Sequence, residues 1–197
     1  MTTAPLRKDA ARNWHRIVEV GRRLVDEDLP IQLNDVARTA SVGVATVYRH
    51  FPTPEALVET LAAPGLESLE QQAEQALAGD DAWSALRDFL HAAVDAQMTD
   101  VALARVVAAP QHALTRTTEL MRHLNDLFAG IVDRARAAGV VNPSITPADM
   151  GPLMCGLTFA VRVHSAVNDE ERAVTARRYL DVLLEGLRSR DERPGTA

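Results

Sequence analysis

Four side chains able to hydrogen-bond, Thr46, Tyr48, Arg49 and His50, fall within one short run, VATVYRH, of a 197-residue chain. Such a set suits a polyanion. Arginine bonds phosphate or forks onto a guanine edge, and tyrosine and threonine hydroxyls bond phosphate oxygens. Elsewhere the residues that could do chemistry are sparse. His91 and Asp95 stand four apart, as do Glu119 and His123, so each pair shares a helix face. Metal binding and acid–base work use such pairs, and so do plain solvated helix faces. The single cysteine, Cys155, excludes an internal disulfide and a multi-cysteine metal site. Between Met154 and Gly156 it reads as buried and inert, a redox role being the alternative. The chain has no G-x-G-x-x-G, no G-x-S-x-G, no P-loop and no H-E-x-x-H. No catalytic residue, metal or cofactor is expected.

Composition sets the frame for these residues. Apolar residues make up 47% and charged residues 24%, which is ordinary for a folded globular chain. The longest charge-free runs, Ala137–Ala148 and Met150–Val161, fall well short of the ~20 residues that a bilayer requires. MTTAPLRKDAAR has no apolar signal core, so a cytoplasmic location is expected. Residues 1–54 carry a net +2 and the remainder −8, together the stated −6. A basic end on an acidic body is compatible with nucleic acid at that end only.

Nearly every segment has helical periodicity, and an all-α fold of about nine helices is expected. The first helix runs from about Asp9 to Glu27, with Ile17, Leu24 and Val25 in its stripe, and stops before Pro30. Two short helices follow, Leu33–Ala40 and Val44 to His50 or Phe51, separated by Ser41-Val42-Gly43. Thr53-Pro54-Glu55 reads as N-cap, first position and acidic first turn of the next helix. That helix reaches Ala78, and Pro64-Gly65 should kink or split it. Gly79-Asp80-Asp81 is a break with a capping Asp, followed by the helix bearing Trp83, Leu86, Leu90 and Val94. Thr99 opens a short helix that Pro110 closes. Leu114 to Ala135 form the longest stripe. Thr146 and Asp149 suggest a capping-box variant, with Pro152 either bending that helix or marking its start and Val167 its approximate end. Asn168 caps the last helix, which runs out into a polar tail.

Leu33–Phe51, LNDVARTASVGVATVYRHF, has the spacing of a helix-turn-helix, whose second helix enters the major groove. Val36, Ala37, Ala40, Val42, Val47 and Phe51 supply its inner side. Spacing alone equally allows a helical hairpin with no role on DNA.

ATVYRHFPTPEALVETLA closely resembles the signature of the TetR family of bacterial transcription regulators. Thr46, Tyr48 and Phe51 match the recognition-helix core, Glu55-Ala56-Leu57 the helix after it, and Asp35-Val36-Ala37 the first motif helix. Ile17, Leu24 and Val25 match the helix before. The resemblance covers about residues 12–62. Departures are Ser41 for a usual Gly, Gly43 for a capping Ser or Thr, and Pro54 for a phosphate-binding Lys. Leu29 replaces the Gly that ends the first helix, and Gln32 replaces a capping Thr or Ser unless Asn34 caps instead.

The resemblance implies a three-helix DNA-binding domain over 1–53, a helical effector-binding and dimerisation domain over 54–190, and a disordered tail over 191–197. It implies phosphate contacts for Thr46 and Tyr48, and phosphate or base contacts for Arg49, His50 and Asn34. Val44 is left apolar contact, for example with a thymine methyl, and Thr53 completes the DNA-binding set. It further implies a homodimer through the last two helices, with Gly156, Ala160, Leu180, Leu183 and Leu187 at the interface. An effector pocket is expected among Phe89, His91, Met98, Met121, Phe128, Met154 and Phe159, residues that would otherwise be plain core. The function so implied is a ligand-responsive, sequence-specific DNA-binding regulator, a repressor released from a palindromic operator by a small molecule. The alternatives are a helical binding or enzymatic domain with an incompetent helix-turn-helix, and a regulator that works through a protein partner.

Overall fold

The periodic segments form nine helices among the described residues: α1 (Thr3–Asp26), α2 (Leu33–Thr39), α3 (Val44–His50), α4 (Pro54–Ala78), α5 (Ala82–Thr99), α6 (Val101–Val107), α7 (Thr115–Ala137), α8 (Pro147–Val163) and α9 (Asp169–Leu187). The computed structural model describes residues 3–163 and 168–189. The expected continuation of α8 to Val167 and the tail over 191–197 lie outside the described residues. Extended pairing among them is limited to an isolated antiparallel bridge between Val141 and Arg188. The class is all-α, as the periodicity predicts.

The residues gather into two compact units. One takes the chain up to Leu66 together with Asp100–Glu119, and the other takes Glu67–Thr99 together with the chain from Leu120 onward. In the first unit the buried side chains include Ile17 and Val25 of α1, Leu33 and Val36 of α2, Val47 of α3, Leu57 and Leu61 of α4, and Leu103 and Val106 of α6. In the second they include Leu86, Leu90 and Val94 of α5, Ile131 and Val132 of α7, Met150 and Val161 of α8, and Leu180, Leu184 and Leu187 of α9.

Helix starts follow local chemistry. Thr53 Oγ1 accepts from Ala56 N at 3.2 Å, and Asn168 Oδ1 accepts from Glu171 N at 2.8 Å, both as expected. Asp81 Oδ1 accepts from Ser84 N at 2.5 Å. Asp149 Oδ2 accepts from Thr146 Oγ1 at 2.7 Å and from Thr146 N at 2.8 Å, the back-bond of a capping box. The Thr146 hydroxyl and amide hold the Asp149 carboxyl below its usual 3.8.

One start differs from expectation, and two open alternatives are narrowed. Asp100, not Thr99, opens α6, its Oδ1 accepting from Leu103 N, and Thr99 closes α5. Pro64 does not split α4, which runs unbroken around it. Arg22 Nη2 of α1 donates to Leu61 O, three residues before Pro64, at 2.6 Å. Pro152 likewise lies inside α8, whose first residue is Pro147.

Helix ends share a device invisible in residue type. α1 closes with Leu29 N on Leu24 O and Asp28 N on Val25 O. α2 closes with Val42 N on Ala37 O and Ser41 N on Arg38 O, and α7 with Val140 N on Ala135 O and Gly139 N on Arg136 O. Each is a Schellman closure, which requires a left-handed residue just past the helix. Those residues are Asp28 (φ 53°), Ser41 (φ 53°) and Gly139 (φ 70°). Only the last is glycine. The residue that stands for the usual glycine after the first helix is therefore Asp28, not Leu29.

Ser41 is exposed, and a left-handed non-glycine residue costs of order 1 kcal/mol, while glycine loses about 0.5 kcal/mol through unfolded-chain freedom. Ser41→Gly is expected to raise Tm by roughly 1–3 °C in thermal unfolding followed by circular dichroism. A lowered Tm would show that the serine side chain contributes to the turn.

Candidate nucleic-acid interface

α3 has two sides of opposite character. Val47 is fully buried, and Phe51, which follows the helix, is 2% exposed. Tyr48 is 46% exposed and Val44 47% exposed, and Arg49 is exposed beside them. Thr46 and His50 are half-buried. Asn34, on α2, is exposed and does not cap that helix. The N-cap is Gln32, whose side chain makes no capping bond. Thr53 is half-buried, and its hydroxyl caps α4.

Electrostatics leave this surface open for an anion. Arg49 forms no ion pair among the described residues, whereas Arg38 is held by Asp35 at 2.7 Å and Arg12 by Asp9 at 2.5 Å. Arg49 and His50 close the last turn of α3, where the helix dipole favours cations. Gly43 begins α3 without a side-chain cap, and a Cβ there would meet only Thr46 Oγ1 at 3.7 Å. The departure from Ser or Thr at this position therefore removes a capping bond without reshaping the turn.

Positioning comes from residues that the sequence did not single out. Gly21 lets α1 approach α4, since a Cβ there would stand 2.9 Å from Leu57 Cδ2. Arg22 Nη1 bonds Asp100 Oδ1 at 2.9 Å, tying α1 to the start of α6. Glu59 of α4 is 3% exposed, yet its two oxygens accept from Ala113 N at 2.5 Å and Leu114 N at 2.9 Å at the start of α7. A carboxylate mid-helix reads as surface in a sequence, and only the long-range partner reveals otherwise.

The second unit corrects several expectations. Asp95 is bound by Arg177 of α9 at 2.9 and 2.8 Å, not by His91. His91 Nε2 lies 3.3 Å from Asp181 Oδ1, and His123 Nδ1 lies 2.6 Å from Glu70 Oε1 rather than pairing with Glu119. No group of three metal-ligating side chains occurs among the described residues. Cys155 is exposed, not buried.

Of the expected pocket residues, Phe89 and Phe128 meet at 5.4 Å between ring centroids, and Phe89 borders a cleft of about 400 Å³ between the end of α4 and α5. Met98, Met121 and Met154 are half-buried, as is His91. Phe159 is 65% exposed and lies outside any interior pocket of this chain.

Of the expected dimer residues, Leu180 is fully buried and Leu187 is 2% exposed. α9 uses this stripe against α5 and α8 of its own unit, so neither leucine is offered to a partner. Gly156 is exposed, and Ala160 and Leu183 are half-buried. The outward apolar residues are instead Phe159 and Val163 of α8 and Val174 and Val182 of α9. Val174, Arg178, Val182 and Gly186 recur every four residues along the exposed side of α9.

This architecture has known counterparts. Residues 81–189 match the family described as transcriptional regulator SbtR-like, C-terminal domain, a TetR-type family, over more than half of the chain. The chain belongs to the TetR family of transcriptional regulators. An HTH-type transcriptional regulator of Staphylococcus aureus (strain USA300) is 42% identical over 48 residues, 23% of this chain and 26% of that protein. The chain thus spans about a quarter of the length of the curated relatives it matches. The crystal structure of the TetR transcriptional regulator SCO0520 from Streptomyces coelicolor is 28% identical, with a TM-score of 0.54, covering 89% of this chain and 98% of that one. The regulator FadR from Bacillus subtilis, in complex with stearoyl-CoA, shares the fold at a TM-score of 0.62 and 16% identity, over 88% of this chain and 99% of its own.

Removing the Glu59 carboxylate leaves two amides at the start of α7 without an acceptor. Glu59→Ala is expected to destabilise the protein by about 1–3 kcal/mol, read as a lowered urea midpoint. An unchanged midpoint would mean that the two amides find water at no cost.

Proposed function

We propose that the protein is a homodimeric, ligand-responsive, sequence-specific DNA-binding regulator, a cytoplasmic repressor that leaves a palindromic operator when a small molecule binds. The observation that carries this is the two-sided α3: Val47 is buried, and Val44, Tyr48 and Arg49, which has no ion pair among the described residues, face outward. Thr46 and Tyr48 would bond phosphates, Arg49, His50 and Asn34 a phosphate or a base edge, and Val44 a thymine methyl. Thr53, already capping α4, would place its hydroxyl at the same edge.

The proposed DNA-binding segment is 1–53 and the effector and dimer segment 54–190. Two recognition helices about 34 Å apart in a C2 dimer would read successive half-sites of a palindrome. The effector must prefer a dimer whose helices are mis-spaced for DNA. That the fold can hold a small molecule is supported by the acyl-CoA bound in FadR. The remaining pocket candidates are Phe89, His91, Met98, Met121, Phe128 and Met154. The dimer face we assign is the outward stripe of α8 and α9, with Phe159, Val163, Val174 and Val182 around Gly156, Ala160 and Leu183.

Fluorescence anisotropy on duplexes tiling the upstream region of the protein's own gene, at several salt concentrations, tests DNA binding. Tight binding to one palindromic tile that falls steeply with salt is expected. Tyr48→Phe should weaken it on every duplex and lower the salt slope by about 1. Weak, sequence-blind binding at every tile would count against an operator there, and an unchanged Tyr48→Phe affinity would remove the phosphate role. For the dimer, Val182→Glu places a charge where an apolar face should be desolvated. Sedimentation should then show monomer, and an intact dimer would put the interface elsewhere.

A further inference from the structure

The first unit holds an open cleft of about 280 Å³ that none of the DNA contacts uses. Ile31, Val58 and Val106 give it an apolar wall, and Arg105 and His112 give it polar ones. Arg105 spends only Nη2, on Asp28 Oδ1 at 2.5 Å, and the Asp28 side chain is 87% exposed. His112 Nδ1 is buried with no hydrogen-bond partner among the described residues. We propose that this cleft binds a small apolar carboxylic acid, aromatic or branched, whose carboxylate takes Arg105 from Asp28.

Each part of the ligand answers a feature of the cleft. The guanidinium is a planar fork that matches a carboxylate bidentately, and its present partner engages it through one nitrogen. That partner sits at the surface, where ion pairs are weak and readily exchanged. The apolar wall selects a ring or a branched chain. The volume lies at or just below the small end of ligand cavities, ~300–1,000 Å³, and excludes a long acyl chain. A ligand oxygen, met by a small turn of the His112 ring, would also supply the partner that Nδ1 lacks.

Two acidic residues line the same cleft and need an account. Glu59 directs both oxygens at the amides of Ala113 and Leu114, which offset its charge. Glu55 is exposed to water at the first turn of α4, where solvent screens it.

Occupancy has a mechanical meaning. Asp28 is the left-handed residue that closes α1, and Arg105 belongs to α6. A carboxylate on Arg105 releases the tie between those helices while leaving Arg22 on Asp100. The ligand therefore has different interaction energies with the tied and untied forms, as any regulator must.

Isothermal titration of the full-length protein with benzoate tests the proposal, with benzamide and acetate as controls. Benzoate should bind saturably with a Kd of ~1 mM or tighter. Benzamide, without the charge, and acetate, without the ring, should each bind at least about tenfold more weakly. Arg105→Gln should weaken benzoate by about tenfold or more. Asp28→Asn should tighten it, because it removes the competitor while asparagine keeps the left-handed turn. Far-UV circular dichroism checks that both variants fold. If Arg105→Gln does not, Asp28→Asn decides alone. Absence of saturable binding, equal binding of benzamide, or unchanged or weaker binding in Asp28→Asn overturns the assignment. No DNA enters these measurements, so their failure leaves the reading of α3 standing.

Discussion

A helix of seven residues does not persist alone in water, because nucleation costs more than so few hydrogen bonds return. α3 exists because Val47 and Phe51 are buried. That dependence runs through the rest of the first unit. The burial fixes the rotation of α3 about its axis, and the rotation decides that Tyr48, Val44 and Arg49 face outward. The buried half of the motif is thus the part that confers geometry, and the exposed half is free to carry chemistry. α2 is equally short, and Val36 and Ala37 hold it in the same way.

Within each unit, polar groups take over where apolar burial cannot specify position. Glu59 accepts two amides, Arg22 joins Asp100 and a carbonyl of α4, and Arg134 of α7 donates to the last carbonyls of α4, at Ala76, Leu77 and Gly79. The bonds of Glu59 and Arg134 land on backbone groups at helix ends, where helix geometry leaves them open. Neutral amides and carbonyls partner the charges of Glu59 and Arg134, while Arg22 has both a carbonyl and the Asp100 carboxylate, so these charges are held by directional bonds.

Features set by near neighbours were legible in the sequence, and those set by distant ones were not. Thr53, Asp81, Asn168 and the Thr146–Asp149 pair could be read because a cap acts within three residues. The inner side of the helix-turn-helix could be read because its apolar positions are few. The partner of Asp95 was not legible because it is an arginine 82 residues away, whose fork matches the carboxylate. Leu180 and Leu187 were misassigned because periodicity finds an apolar stripe without saying whether its own unit or a partner buries it. Left-handed closure at Asp28 was hidden because the turn is a backbone event, and the residue tolerating it was not glycine.

One atom has two duties. Asp100 Oδ1 accepts from Leu103 N at the start of α6 and from Arg22 Nη1 of α1. Fraying of the first turn of α6 and detachment of α1 are therefore not separate fluctuations. A rotation of that carboxylate releases both together. Two helices far apart in the chain then open as one cooperative segment, with a shared free energy of local unfolding.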